Sequence, residues 1–181
     1  MKLFRKIRSW VGSLAIAYIL SLLIGIFLLQ PYRVDGHSMD PTLRDSQRLF
    51  VSKLSHTFSY MPEYGDIVII DSRVNRDRTF VDDVMENPLI QLLTGDEDRI
   101  YYVKRVIGKP GDVLELTGGQ LYRNGERLEE SYIKEEMNAF VGGLWEVPEG
   151  HVFVMGDNRN HSDDSRSIGY IPLNHVLGKK L

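Results

Sequence analysis

The most constraining feature of this sequence is an uncharged, apolar run over residues 11–29. It reads VGSLAIAYILSLLIGIFLL. As an α-helix it would be about 28 Å long, close to the ~30 Å thickness of the hydrocarbon core of a bilayer. A buried core helix usually shows a polar stripe, and this run shows none. The run therefore predicts a transmembrane anchor, followed by a domain over residues 30–181.

A cleaved signal peptide is the alternative to an anchor, because the chain begins with a basic segment. However, the apolar run is longer than the core of a typical signal peptide. The sequence that ends the run, LLQPY at residues 28–32, offers no small-x-small cleavage site. We therefore expect the helix to be retained.

The distribution of charge predicts the topology. Residues 1–10 contain four basic residues and no acidic one, whereas only Arg33 and Arg44 follow the anchor at a comparable distance. The positive-inside rule places residues 1–10 in the cytoplasm and residues 30–181 outside, on a single-pass protein of the plasma membrane. The whole chain carries −3 and residues 1–10 carry +4, so residues 30–181 carry −7. An acidic domain argues against a nucleic-acid partner.

Residues 30–181 are predicted to form a mainly β, antiparallel domain. The pairs Gly118-Gly119 and Asn124-Gly125 supply the positive φ that two-residue hairpin turns require, which indicates a three-stranded meander. Residues 72–99 are charge-rich and interrupted by Pro88, so we expect a partly helical insertion there. Residues 138–144 resemble a flexible loop. The β-prone runs span residues 48–53, 66–71, 100–107, 113–117, 120–123, 126–128 and 151–155.

Ser38 is the candidate nucleophile, in a turn bounded by Gly36 and Pro41. It follows the anchor closely enough to lie within ~30 Å of the membrane. A serine hydroxyl needs a base, and the chain has no cysteine that could replace it as nucleophile, form a disulfide or hold a metal. The candidate base is Lys104, which has apolar neighbours on its face of a predicted strand. Its pKa would have to fall by about 3 units, which burial can achieve, although a structural lysine is the commoner case.

A second polar segment spans residues 156–166. Asp157, Asn160 and Asp163 suggest a calcium loop, but Arg159 and the lack of a central glycine fit the ligand spacing poorly. We therefore predict no metal and no cofactor. An aspartate two residues from an arginine, as in Asp164 and Arg166, is more often a structural pair than a catalytic one.

Four motifs in this order resemble the sequence boxes of type I signal peptidases. They are SMxPTL from Ser38, RLxVxK from Arg48, YVKRVIGxPGD from Tyr102, and GDNRNxSxDSR from Gly156. With one N-terminal anchor, the chain is similar to the short form found in Gram-positive bacteria. The resemblance implies a membrane-anchored serine endopeptidase that removes signal peptides from exported preproteins. The implied partners are those signal peptides and the lipid bilayer, with the secretion translocon as a further candidate.

The resemblance also implies roles for individual residues. Ser38 would be the nucleophile, whose own backbone N–H stabilises the oxyanion, and Lys104 would be the general base. Ser162 would hydrogen-bond the lysine, and Asp164 and Arg166 would form a supporting ion pair. Some family members have a serine as second oxyanion donor at the position of Gly36 here, so we expect a nearby backbone N–H to substitute. His37 matches a variable position and is treated as a spectator.

Substrate selection in such enzymes implies shallow apolar pockets for alanine-sized side chains. The candidate pocket walls are Tyr32, Val34, Met39, Leu43 and Val103. The alternative for each is ordinary core packing, and for Leu43 the two are equally weighted.

Two other functions remain open at this point. One is a serine hydrolase that uses His161 with Asp163 or Asp164. The other is a tethered β domain that binds signal peptides without cutting them. Self-cleaving Ser/Lys peptidases are disfavoured, since they are typically soluble and lack this anchor.

Overall fold

The computed structural model of the chain describes residues 2–57, 61–87, 90 and 100–181. Its helices are α1 (Lys2–Phe27), α2 (Leu54–Thr57), α3 (Phe80–Met85) and α4 (Ser165–Ile168), with a 3₁₀ turn at Leu173–His175. Its strands are β1 (Leu29–Arg33), β2 (Arg48–Ser52), β3 (Ile67–Asp71), β4 (Tyr101–Gly108), β5 (Val113–Thr117), β6 (Gln120–Arg123), β7 (Glu126–Arg127), β8 (Gly143–Glu146), β9 (His151–Met155), β10 (Ile171–Pro172) and β11 (Val176–Lys180).

The apolar run at the N-terminus forms most of α1. The stretch Lys6–Phe27 is long and apolar enough to cross a membrane, and almost none of it is buried by the rest of the protein. The helix ends two residues before the predicted anchor does, because Leu29 already pairs with Ser52 as the first residue of β1. The helix therefore leads directly into the sheet.

The strands of the described residues form two antiparallel sheets. The larger has seven strands in the order β1-β2-β11-β3-β4-β9-β10, and the smaller has four in the order β7-β6-β5-β8. All the strand pairs are antiparallel. The predicted fold class, a mainly β antiparallel domain behind one N-terminal helix, is confirmed.

The meander of the smaller sheet follows the predicted turns. Gly118 and Gly119 have φ of 56° and 79°, and Asn124 and Gly125 have φ of 54° and 81°. The prediction of a loop at residues 138–144 is wrong at its C-terminal end, because Gly143 begins β8 and pairs with β5. Glycine is a poor strand former, so only pairing with a formed neighbour makes this segment a strand.

The sequence did not predict β11, which lies between β2 and β3. Its Gly178 weakens any strand signal. The structure explains the glycine, since a Cβ at this position would lie 2.4 Å from the carbonyl oxygen of Ser52 and 2.7 Å from Val51. Close approach of two central strands therefore requires a residue without a side chain.

Strand β4 has an apolar cluster on each face. On one face Val103 packs against a cluster that contains Met39 and Leu43. On the other, Tyr102 packs against a cluster that contains Val68, with Val106 as a member. Lys104 shares this second face with Tyr102 and Val106 by alternation, and it is buried.

The predicted insertion at residues 72–99 is described in part. It contains α3, a short helix that begins after Thr79. Pro88, Leu89, Leu92 and Leu93, on which part of the helical prediction rested, lie outside the described residues.

Replacing Gly178 with alanine should lower the free energy of unfolding by about 1–3 kcal/mol, because the new methyl group would push β11 away from β2. Guanidinium unfolding in detergent measures this. Gly142→Ala is the matched control, since the nearest atom to a Cβ there is a carbonyl oxygen at an ordinary 3.4 Å. Equal stabilities for the two variants would contradict the argument.

Candidate active site

The turn that carries Ser38 is held down by its own apolar residues. Met39 and Leu43 are 1% exposed and form part of a core cluster. The Leu43 N–H donates to the Met39 carbonyl at 3.0 Å, and the Asp40 N–H donates to the His37 carbonyl at 3.2 Å. Ser38 itself remains partly exposed. The packed turn therefore holds the Ser38 hydroxyl in a fixed position.

Lys104 reaches this hydroxyl from β4. Its Nζ lies 2.9 Å from Ser38 Oγ and 5.1 Å from the centre of the Tyr102 ring. The residue is 3% exposed. Burial lowers the pKa of Lys104 from 10.5 to about 8, against the charges of Asp164 and Asp163, which raise it. The amine therefore lies within hydrogen-bond reach of Ser38 and has a pKa below that of a free lysine.

The polar segment after β9 donates hydrogen bonds to backbone carbonyls of the Ser38 turn. The Asn158 N–H donates to the Ser38 carbonyl, and Asn158 Nδ2 donates to the His37 carbonyl, each at 3.0 Å. Gly156 passes so close that a Cβ would lie 2.4 Å from the Ser38 carbonyl oxygen and 2.3 Å from Ser162 Oγ. Glycine is required here because the chain must pass between Ser38 and Ser162.

A charged contact that the sequence did not predict joins residues 156–166 to the Ser38 turn. Arg105 makes two hydrogen bonds to Asp157, of 2.8 and 2.6 Å, and Thr42 Oγ1 donates to Asp157 at 2.5 Å. Paired N–H donors and a carboxylate give strong, directional contacts. The available signal was the alternation of β4, which turns Arg105 to the face opposite Lys104.

Asp164 and Arg166 form the ion pair that the motif implied. Arg166 Nε and Nη2 donate to the Asp164 carboxylate, each at 2.8 Å, and Arg166 Nη2 also donates to the Arg159 carbonyl at 2.6 Å. Asp164 accepts the Gly156 N–H at 3.0 Å. The pair thus fixes the backbone that packs against Ser38.

Ser162 does not make the hydrogen bond to Lys104 that the resemblance implied. Its Oγ is buried and has no hydrogen-bond partner among the described residues. A buried hydroxyl left in this state costs free energy. Its role in orienting the lysine stays a prediction.

The Gly36 amide is already bonded in this structure. It donates to Asp45 Oδ1 at 2.8 Å, with Gly36 at φ +89°. A second oxyanion donor near Gly36, as expected from the sequence, would have to come from another group or follow release of this bond.

The five candidate pocket residues divide into two groups. Val34, Met39 and Leu43 are at most 4% exposed, and they fit the alternative of core packing. Tyr32 and Val103 are only partly buried against that cluster. The Tyr32 hydroxyl is nevertheless buried, so Val103, one residue before Lys104, is the pocket candidate that the structure supports best.

The histidine alternative is not assembled. The His161 side chain is 73% exposed, and its ion-pair contact is with Glu135 at 3.9 Å. Asp164, one of its two proposed carboxylates, is bound to Arg166. Within the described part of the chain, no group of three or more His, Cys, Asp or Glu residues is placed to hold a metal ion.

A family model and curated relatives agree on one family. Residues 7–181 match the family described as signal peptidase, peptidase S26. A signal peptidase I of Bacillus licheniformis is 42% identical, with 94% of this chain and 84% of that protein covered. The signal peptidase I T of Bacillus subtilis is 38% identical over 94% of this chain and 81% of that one. A crystal structure of a signal peptidase I from Enterococcus faecalis V583 is 27% identical, with a TM-score of 0.46, and covers 66% of this chain and 96% of that one.

The Lys104 amine should titrate near pH 8, which lysine-selective ¹³C NMR of the detergent-solubilised protein measures. Asp163→Asn should move this titration to lower pH, because the Asp163 carboxylate stabilises the charged amine and raises its pKa. Glu115→Gln, on the exposed side of β5, is the control and should leave the titration in place. A Lys104 signal that titrates near 10.5 in the wild type would contradict the described burial.

Proposed function

The chain belongs to the signal peptidase family, peptidase S26, whose serine peptidases remove signal peptides, and from this premise we propose that it does so with a Ser38/Lys104 dyad while anchored by α1. The observation that carries the proposal is the 2.9 Å contact between Lys104 Nζ and Ser38 Oγ. A nucleophile and base within hydrogen-bond reach are the minimum that covalent catalysis requires.

The reaction proceeds in two halves. Neutral Lys104 takes the proton of Ser38 as Oγ attacks the scissile carbonyl, and the resulting ammonium then protonates the leaving amine of the mature protein. This leaves the signal peptide as an ester on Ser38. In the second half Lys104 takes a proton from water, which attacks the ester, and Ser38 is restored when the proton returns to Oγ.

Burial of Lys104 makes the first step accessible near neutral pH. With a pKa of about 8, about one molecule in ten carries a neutral amine at pH 7, whereas a free lysine would give only about one in three thousand. Burial of the side chain thus makes Lys104 a usable base near neutral pH.

The oxyanion would be stabilised by the Ser38 N–H. Because the Gly36 amide is bonded to Asp45, the Ser38 N–H is the oxyanion donor that we propose. Preorganised donors of this kind act where negative charge develops during the reaction.

The substrate would bind as an added strand. Strand β9 pairs with β4 only from Arg105 onward, so the edge of residues 101–104 that faces away from β3 has no strand partner among the described residues. An extended peptide can add to such an edge through its main chain. Val103 lies on this edge, and a peptide bound there would bring its small-x-small sequence to Ser38.

The proposed topology follows from the charge distribution of the sequence. Residues 1–10 would lie in the cytoplasm and residues 30–181 outside, with α1 in the plasma membrane. Signal peptides of exported preproteins and the lipid bilayer are the partners this arrangement requires. The translocon is a further candidate that would deliver the preprotein.

Ser38→Ala and Lys104→Ala should each lose about 10⁴-fold or more in kcat/KM, since each removes one member of a unit that acts together. Cleavage of an Ala-x-Ala signal-peptide substrate in detergent measures this, and wild-type activity should rise with pH through about 8. His161→Ala is the control and should retain activity.

Three outcomes would change the proposal. An active Lys104→Ala would show that the base is misassigned, and an inactive but folded His161→Ala would favour the triad. Tight binding of the peptide by the wild type without cleavage would favour the binding domain.

A further inference from the structure

A network of charges lies where the membrane helix joins the sheet. We call Lys53, Asp71, Arg78, Asp83 and Glu86 the junction network. Lys53 and Glu86 form an ion pair with both side chains 0% exposed. Arg78 binds Asp71 and Asp83 at 2.7 Å each and Glu86 at 2.9 Å. Charges of both signs are thus buried together.

Within the junction network, the Asp71 carboxylate is held in its ionised form. Burial by itself would raise the pKa of Asp71, but hydrogen bonds from Arg73 and Arg78 outweigh it and lower the pKa to about 2. The carboxylate therefore stays ionised throughout the working pH range of a protein.

The junction network holds the segment that follows α1. Gln30 Nε2 donates to the Glu86 carbonyl at 2.9 Å, and Lys53 Nζ donates to Gln30 Oε1 at 3.4 Å. The Lys53 backbone N–H donates to the Leu28 carbonyl at 2.8 Å. Both sides of the helix-to-strand connection are therefore tied to the network.

The last turn of α1 also touches the segment that carries Glu86. The rings of Phe27 and Phe80 stack with centroids 6.3 Å apart and planes 24° apart. A Cβ on Gly25 would lie 2.5 Å from the side-chain nitrogen of Asn87. The helix thus packs against residues 80–87 as well as continuing into β1.

Buried ion pairs are costly, and apolar residues of similar volume often stabilise a protein as well or better. Charged pairs instead add geometric specificity, because their paired hydrogen bonds form only in one arrangement of the side chains. We infer that the junction network is a clamp that fixes the angle between α1 and the catalytic sheet, and so sets the position of Ser38 relative to the bilayer surface.

This inference rests on the proposed function, since position matters when the substrate is itself held in the membrane. A signal peptide inserted in the bilayer presents its cleavage site at a set depth, and a small misplacement of reacting groups is enough to slow a reaction strongly. A short soluble peptide can approach Ser38 at any angle of the anchor. The residues of the junction network are therefore positioning residues for membrane-held substrate.

The test compares two substrates in vesicles of phosphatidylcholine and phosphatidylglycerol that contain the full-length protein. One substrate is a preprotein inserted through its signal peptide, and the other is a soluble Ala-x-Ala peptide. The double variant Lys53→Met/Glu86→Leu removes one charge of each sign and leaves Arg78 paired with Asp71 and Asp83. Phe80→Ala, at an exposed position, removes the ring stack without touching the core.

Both variants should lose about tenfold or more in kcat/KM on the preprotein and keep wild-type kcat/KM on the soluble peptide. Glu63→Gln is the control, because it breaks the surface ion pair with Lys109, away from α1. Equal losses on both substrates, or no loss on either, would overturn the inference.

A second measurement does not depend on activity. The chain has no cysteine, so Ser21→Cys on α1 and Glu115→Cys on β5 give a unique pair of spin labels. The distance distribution between them should broaden in the double variant and stay narrow with Glu63→Gln. An unchanged distribution would overturn the clamp. A wild type that cleaves neither substrate would instead overturn the proposed function, and the distances would still decide whether the clamp exists.

Discussion

The contact between Lys104 Nζ and Ser38 Oγ is the interaction on which the proposed activity rests. It unites residues 66 positions apart, and it is useful only if the lysine can be neutral. Burial of Lys104 penalises the charged amine, while nearby aspartates favour it. The net effect is a lowered lysine pKa, which the proposed base requires and which the position of one side chain in a sheet produces.

Holding that contact falls to the segment after β9. Asn158 bonds the carbonyls of His37 and Ser38, Asp157 joins Arg105 and Thr42, and Asp164 is fixed by Arg166. None of these side chains needs to touch substrate. Together they make the nucleophile turn part of the sheet, which is how a site on a loop can keep the geometry that catalysis requires.

A similar division of labour exists at the membrane end. The helix α1 buries almost none of its surface in protein, so its orientation depends on the few residues that join it to the sheet. The junction network supplies this connection with buried charges, and the stack of Phe27 on Phe80 supplies it with an apolar contact. The Ser38 turn and α1 thus contact the same sheet through separate polar networks.

The sequence by itself determined what local chemistry can encode. Charge-free length predicts a membrane helix, Gly-Gly and Asn-Gly predict hairpin turns, and the four ordered motifs identify Ser38 and Lys104 as candidates. Only the tertiary structure decided what depends on distant partners. It made strands of the glycine-bearing segments at Gly143 and Gly178, assigned Val34, Met39 and Leu43 to the core, bonded the Gly36 amide to Asp45, and left Ser162 Oγ without a partner. The physical reason is that burial, pairing and proximity are properties of packed neighbours, and no window of the sequence contains them.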